Sequence, residues 1–153
     1  MLCCEDVQIM MISTKGRYAL RMLVELAKRK DEGYIALKDI AESQGISKKY
    51  LEQIVSILNK PEILKKNRGY QGGYMLAQSP ECYTVGDILR MTEGGLAPVA
   101  CLEQDEVACE RAGYCETLFV WEGLYKTITE YLDGITLQDI LDCNNDGSFD
   151  YMI

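Results

Sequence analysis

The 153 residues include no histidine. That absence excludes an imidazole general base, serine or cysteine triads built on one, and every metal site that needs an imidazole ligand, so any metal here would be held by sulfur and oxygen. Long apolar runs are also missing. No stretch approaches the roughly 20 residues needed to cross a bilayer, and no membrane association is expected. The opening MLCCEDVQIM has no basic start and carries Glu5 and Asp6, so it does not read as a signal peptide. A cytoplasmic chain is expected, in which seven cysteines are thiols or metal ligands rather than structural disulfides. There is no internal repeat and no low-complexity segment.

What is present is a divided charge. Residues 1–10 hold two acids and no base, residues 11–70 are net +6, and residues 71–153 are net −12, which gives the overall −8. A chain built this way has one half suited to phosphates and one half repelled by them. Hydrophobic residues at 48% suffice for one good core.

Apolar spacing predicts a first helix over Ile12 to Lys30, with Ser13 and Thr14 as caps and Gly33 ending the run. A short amphipathic helix over Leu37 to Ser43 follows, then a tight turn at Gln44-Gly45-Ile46. Ser47 caps a third helix from Lys48 to Asn59 with its apolar stripe at Tyr50, Leu51, Ile54, Val55 and Leu58. Two short helices joined by a glycine turn, the second opening on a serine and two lysines, form the helix-turn-helix pattern. Residues 62–77 read as two short strands around a turn rich in glycine and basic residues, a wing whose tip carries Arg68 and Gln71. Thr84 caps a helix from Val85 to about Thr92. An irregular segment holds Cys101, Cys109 and Cys115, and from Glu116 apolar positions recur at three and four residues through Leu118, Trp121, Leu124, Tyr125, Ile128, Tyr131 and Leu132. So long an apolar helix has more surface than one small winged domain covers, and is expected to dimerise. Thr136 caps a last short helix to Leu141. The fold class expected is mainly α with a small β wing. Residues 1–10 form an extension, 11–80 the winged helix-turn-helix region, 81–117 the linker helix and cysteine loop, and 118–153 the dimerisation helix and C-terminal part.

The stretches MISTKGRYALRMLVELA from Met11, GISKKYLEQI from Gly45, RGYQGGYMLA from Arg68 and ITLQDIL from Ile135 resemble the Rrf-two family of bacterial winged-helix transcription regulators, which includes IscR-, NsrR- and CymR-like members. The resemblance runs from Met11 to the C-terminus. It implies a homodimer on a palindromic double-stranded DNA operator, with the third helix in the major groove and the wing in the minor groove, and no enzymatic activity. The DNA-facing set is then Lys15, Arg17, Ser47, Lys48, Lys49, Tyr50, Glu52, Gln53, Ser56, Arg68, Gln71 and Gly72. Ser47, Lys48, Lys49 and Tyr50 suit phosphate oxygens at a helix start, whereas Glu52, Gln53 and Ser56 suit base edges.

In cluster-binding members, three cysteines between wing and long helix hold an iron-sulfur cluster, and Cys101, Cys109 and Cys115 occupy that place. The resemblance therefore implies one 2Fe-2S or 4Fe-4S cluster per subunit. Its fourth ligand departs from the family. Leu118 stands where some members have histidine, and Arg17 where others offer a carboxylate from the partner subunit. Glu116, Glu103, Cys3, Cys4, a small thiol or water are replacements. A thiol switch, a zinc site and plain packing are the alternatives to a cluster. Acids around the segment are expected to raise its thiol pKa values. Cys82 and Cys143 read as small, partly buried residues. Asp142 to Gly147 matches the opening of a calcium loop but lacks the closing glutamate and exit helix, so a polar turn is the preferred reading.

Overall fold

The computed structural model describes residues 12–70, 72–103 and 109–145. Helix α1 spans Thr14–Lys28, with the Ser13 hydroxyl accepting from the Gly16 amide at its start. A single tight turn at Lys30–Glu32 and Gly33, whose φ of 79° lies in the left-handed region, turn the chain toward α2, Leu37–Gln44. Gly45 at φ 62° closes α2, and the Ser47 hydroxyl caps α3, Lys48–Leu58, by accepting from the Tyr50 amide. Glycine has no Cβ to clash at such angles, which is why the helix-turn-helix turn falls there.

Strands β1, Leu64–Asn67, and β2, Gly73–Leu76, pair antiparallel in the register Leu64 with Leu76, Lys65 with Met75, Lys66 with Tyr74 and Asn67 with Gly73. The base of this ribbon is buried through Leu64 and Leu76, Gly73 at the other end of β2 is buried as well, and the rest of β1 is exposed. Ile35 adds an isolated bridge to Tyr74, exchanging both backbone hydrogen bonds at 2.9 Å. That bridge forces Gly73 against Ile35, where a Cβ would lie 2.4 Å from the Ile35 carbonyl oxygen. Buried Tyr83 fastens the ribbon's two ends. Its hydroxyl accepts from the Gln78 amide at 2.8 Å, beyond β2, and donates to the Ile63 carbonyl at 3.1 Å, ahead of β1.

Helix α4, Val85–Glu93, is capped by Thr84 and ended by Gly94 at φ 83°. Helix α5, Leu118–Asp133, is the longest, and α6, Leu137–Asn145, closes the described chain. The main core draws on α1 (Met22, Leu23, Leu26), α2 (Ile40), α3 (Leu51, Ile54, Leu58), the wing base, α4 (Ile88) and Leu137 of α6. Burying each such side chain is worth about 1.5–3 kcal/mol. The opposite side of α4 joins a smaller cluster of Val85, Leu89 and Leu96, onto which Tyr125, Leu132 and Ile135 pack.

The molecule is mainly helical with a small antiparallel wing, as the sequence predicts. The ends of α1 fall two residues inside the expected limits, because Ser13 is the cap and the Glu25 carbonyl accepts the last turn from the Arg29 amide. Helix α6 runs four residues further than expected. Asp142 and Asn144 lie inside it, with Asn144 Nδ2 donating to the Ile140 carbonyl at 2.7 Å, so these positions form no calcium-loop opening. No helix among the described residues is long and apolar enough to cross a membrane.

Candidate DNA-binding surface and cysteine segment

The start of α3 presents Ser47, Lys48, Lys49, Glu52, Gln53 and Ser56 to solvent. They share a face because Leu51, Ile54, Val55 and Leu58 occupy the other, buried against α1 and α2. The Ser47 oxygen is engaged as the cap, which leaves its hydroxyl proton available to a phosphate oxygen. Lys48 Nζ stands 3.7 Å from a Glu52 oxygen, one turn away. Among the described residues Lys49 has no carboxylate within salt-bridge distance. Ser56 donates to the Gln53 carbonyl at 2.6 Å.

Tyr50 differs from the rest of the sequence-derived set. It is half-buried, and its ring meets Tyr18 of α1 edge-on, with centroids 5.7 Å apart and planes at 87°. The Arg21 guanidinium sits 5.3 Å from the Tyr18 centroid. The ring of Tyr50 thus helps seat α3 on α1. At the start of α1, Lys15 is half-buried and exposed Arg17 donates to the Thr14 hydroxyl at 3.3 Å. On the wing Arg68 is exposed and Gly72 half-buried, with the Gly72 amide donating to the Gly69 carbonyl at 2.9 Å; Gln71 lies outside the described residues.

Three features escaped the sequence reading. Arg21 donates through Nε to the Gln44 side chain at 3.1 Å and through Nη2 to the Gln44 carbonyl, while Glu25 accepts from Ser43 and Gln44 at 3.1 and 3.0 Å. This clamp ties the end of α2 to α1 and sets the angle of the helix pair. It links residues some twenty positions apart, and no periodicity announces such a pairing. Arg90 of α4 holds Asp133 at the end of α5 through two bonds of 2.8 and 2.7 Å, an arrangement that keeps the Asp133 carboxyl below its ordinary pKa. Finally, Tyr70 at the wing tip is completely exposed, at 106% of its reference surface. Its place between glycines at the turn was visible in the sequence as a signal.

Helix α5 has no buried residue. Trp121, Tyr125, Ile128 and Leu132 are half-buried, Tyr125 and Leu132 against the smaller cluster, whereas Phe119, Val120, Leu124 and Tyr131 are exposed. Positions 120, 124, 127 and 131 make one continuous stripe at helical spacing.

Cys101 lies half-buried in a turn at Ala100–Leu102 that is anchored by buried Leu102. Cys109 and Cys115 are also half-buried, and Cys82 and Cys143 are exposed. Cys3 and Cys4 lie outside the described residues. Cys115 Sγ is 3.6 Å from the Thr117 hydroxyl. That hydroxyl, then the backbone amides of Thr117 and Leu118 and the charge of Arg111, hold the Cys115 thiol below its ordinary pKa. At this position local donors outweigh the surrounding acids, the reverse of the sequence expectation. Glu103 and Glu116 are exposed and Leu118 is half-buried. Among the described residues no three cysteine or carboxylate side chains are grouped so that they could hold a metal ion. The described thiols thus form no ligand group as they stand, and Leu118, apolar, offers a metal no donor.

Comparison with known proteins places this geometry. The Rrf2 family model, described as an iron-dependent transcriptional regulator, matches residues 12–143. The HTH-type transcriptional regulator CymR of Bacillus subtilis (strain 168) is 42% identical over 131 residues, covering 86% of this chain and 89% of that one. The solved structure of B. subtilis CymR, the global cysteine regulator, superposes with a TM-score of 0.68 over 85% of this chain and 95% of the other, at 42% identity. That of T. potens IscR reaches 0.69 at 40% identity, over 94% and 92%. A winged helix carried from Ser13 through Leu76, and a match that continues through α4, α5 and most of α6, make this chain a member of the Rrf2 family of transcriptional regulators.

Proposed function

We propose that the chain acts as a homodimer on a palindromic DNA operator, each subunit setting α3 in the major groove and its wing in the adjacent minor groove, and that it works in the cytoplasm without catalysing a reaction. One observation carries the DNA-binding part: the polar face of α3 is exposed together with its two lysines and stands next in the chain to a cationic, glycine-tipped ribbon. Dimerisation is supported by the uncovered stripe through Val120, Leu124 and Tyr131 of α5, an apolar surface that water leaves unsatisfied. Gly123 lies beside that stripe with nothing within 4 Å of where its Cβ would be, so a second helix can come close.

The segment from Cys101 to Cys115 is the effector region in this proposal. It leads in the chain from α4 into α5, so a chemical change within it biases the placement of the long helix against the DNA-binding body. A cluster-free mode, thiol chemistry or a protein partner, is supported by the described thiols, which do not form a ligand set, and by the hydrogen bonds that hold the Cys115 thiol below its ordinary pKa. Similarity to CymR, the global cysteine regulator of B. subtilis, supports a signal tied to thiol chemistry. The second reading, a cluster on Cys101, Cys109 and Cys115, is supported by the family description as iron-dependent. Anaerobic purification with iron, acid-labile sulfide and zinc analysis separates them. Protein without iron that refuses reconstitution, yet binds DNA differently after mild oxidation, supports the first. Iron and sulfide in comparable amounts, lost on alanine substitution of the three cysteines, overturn it in favour of the second; zinc alone makes the site structural.

A further inference from the structure

The wing tip is built to carry a single aromatic ring. Gly69 has a φ of 142°, which residues with a side chain rarely adopt, and the Gly72 amide closes the turn on the Gly69 carbonyl at 2.9 Å. A Cβ at Gly72 would lie 2.9 Å from the Gly69 oxygen and 3.0 Å from the Asn67 oxygen, so the turn needs glycine there too. Tyr70 sits on this turn with its side chain fully exposed. Exposed Arg68 stands two residues before it, exposed Lys65 lies nearer the base of the ribbon opposite Met75, and Lys66 is drawn back over the ring of Tyr74, 5.5 Å from its centroid. A lone exposed aromatic is ordinary on a protein surface. One held at the apex of a glycine-restricted turn, on a ribbon with four exposed residues at 65–68 of which three are cationic, is a probe shaped for a narrow anionic cleft.

The minor groove of DNA is about 6 Å wide and shows only acceptors, adenine N3 and thymine O2, over A·T pairs, while G·C pairs add the guanine 2-amino group on the groove floor. A·T-rich tracts narrow the groove further and deepen its negative potential. A tyrosine suits that environment: its flat ring fits edge-on between the sugar walls, and its hydroxyl supplies one donor. Resting on the DNA-binding reading above, we infer that Tyr70 reads the minor groove beneath the wing, donating its hydroxyl to an A·T acceptor and excluding G·C pairs by collision of the ring with the guanine amino group. Each half of the operator then carries an A·T requirement at a position that α3 never touches.

The test uses the full chain and duplexes enriched by that chain from a random-sequence pool. Each A·T pair flanking the half-sites is replaced in turn by diaminopurine·T, which adds the minor-groove amino group, and by inosine·C, which lacks it. The wild-type protein is expected to lose about fivefold or more in affinity per half-site on the diaminopurine substitution under the wing, and to tolerate inosine·C there. Tyr70→Phe should bind about fivefold more weakly per half-site while still disfavouring diaminopurine, and Tyr70→Ala should bind both duplexes alike. Because the ring is fully exposed, both variants are expected to melt with the wild type. A wild-type protein indifferent to diaminopurine at every flanking pair, or a Tyr70→Ala variant that discriminates as the wild type does, overturns the inference while leaving DNA binding intact. Failure of the chain to enrich any duplex, with no salt-dependent binding, brings down the DNA-binding reading as well.

Discussion

Replacing Lys49 by alanine removes a charge that does not bring its own counter-ion to the interface. Lys48, by contrast, is already 3.7 Å from Glu52 on the exposed face of α3, and must trade that weak pair for a phosphate. If each subunit of a dimer places Lys49 on one phosphate, two contacts are lost per complex. Each contact contributes about 0.9 to the slope of log K against log salt, so the slope should become shallower by about 1.8. Between about 50 and 200 mM salt this narrows the gap between wild type and variant by roughly 12-fold, with the deficit largest at low salt. Fluorescence anisotropy on the selected duplex and on a scrambled one, over that range, gives both slopes. The loss should be the same for the two sequences, because a phosphate contact carries no base information. An unchanged slope, or a loss confined to the selected duplex, would refute the placement of Lys49 on the backbone.

Three further outcomes follow from the packing and the cysteine segment. Gly73→Ala puts a Cβ against the Ile35–Ala36 peptide, 2.4 Å from the Ile35 carbonyl oxygen, where only backbone could give way, and should destabilise by about 2 kcal/mol or more, lowering the melting temperature by several degrees; Gly95→Ala, which meets nothing within 4 Å, is the control that should melt with the wild type. Leu137→Ala empties a fully buried site where α6 joins the main core and should cost about 2–5 kcal/mol in urea unfolding, a cost under about 1 kcal/mol being incompatible with that packing. Thr117→Ala removes the first donor to Cys115, so the pH midpoint of Cys115 alkylation, followed by mass spectrometry, should move upward and the rate at neutral pH should fall; an unmoved midpoint contradicts the contact.

Local signals carried much of this molecule. The serine at 47, the threonines at 84 and 136 and the glycines at 45 and 94 mark helix ends through hydrogen bonds and backbone angles that depend on only a few neighbouring residues, so the helix-turn-helix and α4 were legible along the chain. Exposure of the α3 lysines followed from its apolar stripe in the same way. The extent of α6 was less legible, because Asn144 and Asn145 are poor helix formers that α6 keeps nonetheless, its first turn strapped down by Leu137 and the Tyr83 carbonyl.

What the sequence by itself determined, then, is the order and kind of the elements, the separation of basic and acidic halves, and the absence of imidazole chemistry. Tertiary structure decided the rest. The Arg21 and Glu25 clamp on Gln44, the Tyr83 hydroxyl joining the two ends of the wing, the Arg90 pair with Asp133 and the partition of α5 into a covered and an uncovered side all depend on groups distant in sequence meeting at hydrogen-bonding or van der Waals range. The cysteine segment shows the same division. Three thiols in fifteen residues are a compositional fact, but whether they converge on a metal depends on angstrom-scale placement, and that placement leaves Cys115 beside Thr117 rather than in a ligand group among the described residues.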